Sequence, residues 1–218
     1  PLPEPRPDDV VILSAARTPQ GKILGSLASQ SAVQLGAVAL RRALAQSGVD
    51  ASDVDAVIFG QVLQAGAGQN PARQTAIGAG IGWNVPATTI NKVCLSGLAA
   101  VIDAARLIRA GEATVVAAGG QESMTNAPHV LPGSRTGWTY GSMEAVDSAA
   151  YDGLTDAFDK ISMGASTERY TEKLGLTREA QDAFAASSHQ RAGAAAASGA
   201  FADEIAPVSI PQRKGDPV

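Results

Sequence analysis

Cysteine is almost absent from the chain: Cys94 is the only one in 218 residues. A single cysteine forms no internal disulfide, so nothing in the sequence calls for an oxidising compartment. With only two histidines beside it, it is also too little for a structural zinc site, and no metal is expected. Charge is sparse at 17%, the net charge is −4, and there is no basic run. That excludes the usual electrostatic footprint for nucleic acid or an anionic membrane surface. No apolar run is long enough to span a bilayer, and the N-terminus lacks a signal-peptide pattern. The expected compartment is the cytoplasm.

What the chain does have is apolar content, 45% of its residues, enough to build a sizeable core at this length. The opening "PLPEPRPDD" (1–9) alternates proline with charge and is expected to be a disordered tail. "VVILSAART" (10–18) reads as a buried strand. "SAVQLGAVALRRALAQSG" (31–48) spaces Leu35, Val38, Leu40 and Leu44 on one helical face, with Gly48 as a stop. "VDAVIFG" (54–60) is a second strand. "NPARQTAIGAG" (70–80) is a helix with Pro71 at its first position. "ATTI" (87–90), "LSGLAAVIDAARLIRAG" (95–111) and "ATVVAAGG" (113–120) read as strand, helix and strand. This alternation predicts a mostly parallel sheet with helices on its faces.

Beyond Gly120 the pattern breaks. Residues 121–161 form an irregular excursion of about forty residues rich in Ser, Thr, Gly and Pro. Excursions longer than about 15 residues tend to be functional or disordered. Two helices follow, over 163–174 and 177–198. Thr177 is the expected N-cap of the second, with an incomplete capping box because Ala180 stands where Glu or Gln would close it. "IAPVSI" (205–210) is strand-like.

Cys94 sits where an apolar strand hands over to a helix. One reading makes it a small core residue, the default for a free cysteine. The other makes it a nucleophile. A helix start presents unpaired N–H groups and a partial positive charge, which stabilise a thiolate. "Ser96-Gly97" follows at once, so a substrate carbonyl has room to approach the backbone. The nucleophile's own N–H is then placed to donate to an oxyanion. The other polar candidates read more simply. His129 is a surface or interface group, His189 a solvated helical residue, and Glu122 a hydrogen-bonding structural carboxylate. The glycines at 66 and 68 lack the Lys-Ser/Thr that a phosphate loop needs.

At this point the sequence resembles a known family. "VILSAARTPQGK", "GQVLQAGAGQNPARQ", "INKVCLSGLAAV", "VVAAGGQESMTNAPHVLPGSR", "YDGLTDAF" and "QRKGDPV" occur in order and look like the thiolases, specifically the acetyl-CoA C-acetyltransferases. The resemblance runs from Val10 to Val218, roughly the first half of a family member. It implies an α/β fold in which 10–120 form most of a βαβαβαββ half. Residues 121–218 would be an inserted loop domain covering coenzyme A, incomplete at its C-terminal end, and the second half is absent.

The resemblance makes Cys94 the residue that accepts the acyl group. A second acetyl-CoA would then condense with acetyl-Cys94 to give acetoacetyl-CoA, or the reverse thiolysis would run. Leu154 and Met163 match positions lining the pantetheine and acyl pocket. Ser162 stands where the family often has histidine. Coenzyme A thioesters are the implied substrates, with no cofactor; Arg135, Lys160 or Arg213 are candidates for meeting phosphates. The stretch 124–138 matches the loop through which thiolase dimers pair, implying a homodimer or homotetramer, possibly completed by the C-terminal half. The family's G-H-P histidine, second cysteine and N-E-A-F asparagine have no counterpart here, so this chain alone is expected to show no turnover. Two alternatives stay open: a non-catalytic fragment serving as an assembly module, and a longer-chain 3-ketoacyl-CoA thiolase. Ketoacyl synthases and hydroxymethylglutaryl-CoA synthases also use a cysteine at this place, but "GGQESMTNAPH" favours thiolase.

Overall fold

The computed structural model describes Arg6 and residues 9–211. Most of the expected disordered tail, together with "QRKGDPV" and its Arg213, lies outside the described residues.

The chain forms a three-stranded parallel sheet with helices on both faces. Helix α1 (Ala32–Ser47) starts at a complete capping box: Gln34 N–H donates to the Ser31 hydroxyl and the Gln34 side chain accepts from Ser31 N–H. It ends at Gly48 in the left-handed conformation (φ 71°), which glycine adopts without Cβ strain. Strand β1 (Ala56–Gly60) follows. Helix α2 (Pro71–Ala79) is capped by the Asn70 side chain and has proline in its first turn. Strand β2 (Ala87–Ile90), helix α3 (Ser96–Arg109) and strand β3 (Val116–Gly120) complete the core. The strand order is β2-β1-β3, parallel throughout, with Val57 opposite both Ala87 and Ala117.

Alternate residues of β1 face opposite sides. Val57 and Phe59 join Leu40, Ala72, Ala76, Ala79 and Ile81 in the main core, under α1 and α2. Gly60 faces the other side, against the start of α3. Small residues set the spacing of these layers. A Cβ on Gly78 would come within 3.0 Å of Ala37 Cβ, so α1 and α2 approach closely because no side chain intervenes.

The expected strand at 10–18 is a correction. The run forms no ladder; only Arg17 makes an isolated bridge, to Ile205. Val11, Ile12 and Leu13 are exposed. Apolar, β-prone residues make a strand only beside a hydrogen-bonding neighbour, and neither edge of the sheet pairs with this run among the described residues. The same isolated bridge is all that remains of the strand-like 205–210. Arg17 fastens the two segments: its guanidinium meets Glu204 at 2.6 Å and lies over the Phe201 ring.

The excursion 121–161 is irregular, as its composition suggested, but ordered. Strands β4 (His129–Val130) and β5 (Val146–Asp147) pair antiparallel. A turn of π-helix covers Ala149–Gly153. Helices α4 (Met163–Lys173) and α5 (Arg178–Ala197) then follow, capped by Ser162 and Thr177. Neither buries a residue. Among the described residues, no helix is long and apolar enough to cross a membrane.

Candidate active site

The C-terminal ends of β1 and β3 and the N-terminus of α3 converge because three glycines let them. A Cβ on Gly60 would sit 2.6 Å from the backbone carbon of Ser96. Gly120 and Gly97 also approach closely: a Cβ on Gly120 would lie 3.3 Å from Gly97 Cα. Helix α3 therefore starts directly over the strand ends, and the β2–α3 turn, residues 91–95, is pushed up beside them.

That turn is tight. Leu95 N–H donates to Lys92 C=O at 3.1 Å and Ser96 N–H to Val93 C=O at 3.0 Å. Val93 takes a positive φ of 49°, which a β-branched residue rarely does. Cys94 follows it and is exposed. The Cys94 N–H has no acceptor among the described residues. Within this chain Cys94 is therefore not a core residue.

Cys94 opens on a cleft of about 760 Å³. One wall is the turn with Ser96 and Gly97, another the 17–23 segment, and a third the strand-end residues Gln61–Leu63 and Gln121–Thr125. The π-helical turn closes it with Ala149, Gly153 and Leu154.

The strand-end wall is rigidly built. Strands β1 and β3 both end in a glycine followed by glutamine, at 60–61 and 120–121. The Gln121 amide donates to Gln61 Oε1 at 2.9 Å, the Thr75 hydroxyl donates to Gln121 Oε1 at 2.5 Å, and the Gln61 amide donates to Leu63 C=O at 2.9 Å. All three side chains are buried, and buried polar groups hold when their partners are in place. Glu122 continues the wall. Its carboxylate accepts from Val62 N–H at 2.8 Å and Leu63 N–H at 3.2 Å. Burial pushes its pKa above the ordinary value, and those two N–H groups pull against that shift. Both oxygens serve the 61–63 turn, the role of a structural carboxylate.

A family model described as thiolase, N-terminal domain, matches residues 10–218.

The chain belongs to the thiolase family.

Its relatives include a "Probable acetyl-CoA acetyltransferase" of Mycobacterium tuberculosis, 58% identical over 208 residues, covering 95% of this chain and 53% of that protein. The "Acetyl-CoA acetyltransferase" proteins of Pseudomonas aeruginosa and Cupriavidus necator are each 57% identical over 210 residues, covering 96% of this chain and 53% of theirs. The thiolase chain spans about half the length of the curated relatives it matches.

Of the residues singled out from sequence, the fold brings Cys94 and Leu154 to one cleft. Ser162 and Met163 stand beside it rather than in its wall. Met163 N–H donates to Leu154 C=O at 2.9 Å, and Thr155 bridges Ser162, so the pair is tied to Leu154 through the backbone. The Ser162 hydroxyl is occupied in capping α4, accepting from Ala165 N–H at 3.2 Å. His129 and His189 are exposed and outside the cleft. Lys160 lies by the Tyr151 ring on a separate, smaller pocket. Among the described residues no group of His, Cys, Asp and Glu is placed to hold a metal. Sequence reasoning missed the Gln61–Gln121–Thr75 network and the π-turn. The repeated Gly-Gln strand ending was the signal for the first.

Proposed function

We propose that the complete protein is an acetyl-CoA C-acetyltransferase that carries the acetyl group on Cys94. The observation behind this reading is an exposed cysteine on a tight turn at a helix start, opening on a cleft it shares with Leu154. The Cys94 thiolate attacks the thioester carbonyl of acetyl-CoA. The carbonyl carbon bonds to Sγ, its bond to the coenzyme A sulfur breaks, and coenzyme A leaves as the thiolate. A thiolate suits both halves of this exchange, being a strong nucleophile and a good leaving group. The Cys94 N–H, which has no acceptor among the described residues, is available to the oxyanion of the tetrahedral intermediate. A second acetyl-CoA, as its carbanion, displaces Sγ to form acetoacetyl-CoA; thiolysis is the reverse.

In this reading 10–120 form the catalytic half. Residues from 121 onward form a loop domain over coenzyme A, with Leu154 and Met163 along the pantetheine arm and Ser162 at its edge. No cofactor takes part. The protein works in the cytoplasm as a homodimer or homotetramer paired through 124–138, within fatty acid metabolism. The names of the relatives support acetyl over longer acyl groups. The test is thiolysis of acetoacetyl-CoA by the complete protein. Cys94→Ala should abolish it while leaving the fold intact; retained turnover would remove Cys94 from the chemistry.

A further inference from the structure

The residue before the cysteine is in a conformation its side chain disfavours. Val93 is β-branched, half exposed, and held at φ 49°. Half of its surface faces solvent, so its side chain is not locked in a core. Its backbone polar groups are all engaged. Val93 N–H donates to Asn91 Oδ1 at 2.9 Å. Val93 C=O accepts from the Ser96 hydroxyl at 2.6 Å and from Ser96 N–H at 3.0 Å. The Ser96 oxygen also accepts from Lys92 N–H at 2.8 Å, so its proton and a lone pair are both engaged on the turn. Ser96 is itself immobile: 4% exposed, with Gly60 against its backbone. Sparsely populated backbone conformations persist where the surroundings over-determine them, and they cluster at functional sites.

We propose that Asn91 and Ser96 are positioning residues, which clamp Val93 in the left-handed conformation and thereby present the Cys94 thiol to the cleft. The inference rests on the reading of Cys94 as the acyl carrier. Asn91 takes the N–H of Val93 and Ser96 takes its C=O, so the peptide planes on both sides of Val93 are fixed. Released from either, Val93 relaxes toward negative φ, the following peptide turns, and the thiol swings off its wall. Neither Asn91 nor Ser96 touches the reacting atoms in this scheme.

The clamp matters only while residue 93 resists positive φ. Glycine does not resist it, so V93G should make the clamp largely dispensable. The experiment measures the rate of Cys94 alkylation by iodoacetamide in the complete protein. It compares S96A and N91A with the parent, and V93G/S96A and V93G/N91A with V93G. With valine at 93, S96A should slow alkylation about ten-fold or more; in the V93G background the loss should shrink to about three-fold or less. N91A should follow the same pattern. Because Asn91 is exposed, N91A supplies the cycle if buried Ser96→Ala fails to fold. A loss of equal size in both backgrounds, or none in either single variant, overturns the proposal. Protection of the parent's Cys94 by acetyl-CoA reads the acyl-carrier role separately. Its absence would remove that role while the alkylation cycle still judges the clamp.

Discussion

At the residue scale, the chemistry of the cleft depends on which polar groups are already committed. Glu122 stands near Cys94 and looks like a base in a bare sequence, yet both its oxygens hold the 61–63 turn. Glu122→Ala leaves two backbone N–H groups without their acceptor and should cost about 1–3 kcal/mol, read from urea unfolding. Its titration has a definite sign. Burial raises the folded-state pKa above the ordinary 4.5, so the folded form binds a proton that the unfolded form has released. Stability from this group is therefore fully present below 4.5 and is lost as pH rises through the higher folded value. Glu122→Gln should flatten that part of the stability–pH curve. Asp55 has the opposite sign. Its carboxylate accepts from Val115 N–H and Thr114 N–H, which lower its pKa below 3.8, so its contribution is present above 3.8 and fades as pH falls.

At the element scale, the cleft exists because α3 sits close on β1 and β3. Gly60→Ala should push the helix start outward, since the added methyl would meet backbone rather than a flexible side chain. A cost of about 1–3 kcal/mol is expected from such overpacking, with slower alkylation of Cys94 as its companion effect. The elements themselves were largely legible in the sequence. α1, α2 and α3 announce themselves through apolar spacing, with Gly48 marking the end of α1 and Pro71 the start of α2, both acting locally. Strands β1, β2 and β3 read correctly because each apolar run is short and bounded. Val10–Thr18 misled for a physical reason: β-propensity is a statement about neighbours, and among the described residues this run pairs only through the single Arg17–Ile205 bridge. The strained Val93 was not legible either. Nothing in "NKVCLSG" marks a valine for positive φ; the Asn91 and Ser96 bonds that hold it are properties of the folded turn.

At the scale of the whole molecule, much apolar surface is left uncovered. Val11, Ile12 and Leu13 are exposed, as are Leu98 and Ile102 on the outer side of α3. Patches of this kind mark surfaces that another body covers. The 218-residue chain by itself should self-associate, checked by light scattering; a monodisperse monomer would contradict the expectation. The proposed function centres on a reachable cysteine that exchanges acyl groups with coenzyme A. The most direct measurement is alkylation of Cys94 in the complete protein by labelled iodoacetamide, with and without acetyl-CoA. Fast labelling at Cys94 that acetyl-CoA suppresses is the expected result. Labelling that is slow, or that proceeds at the same rate with acetyl-CoA present, would contradict it.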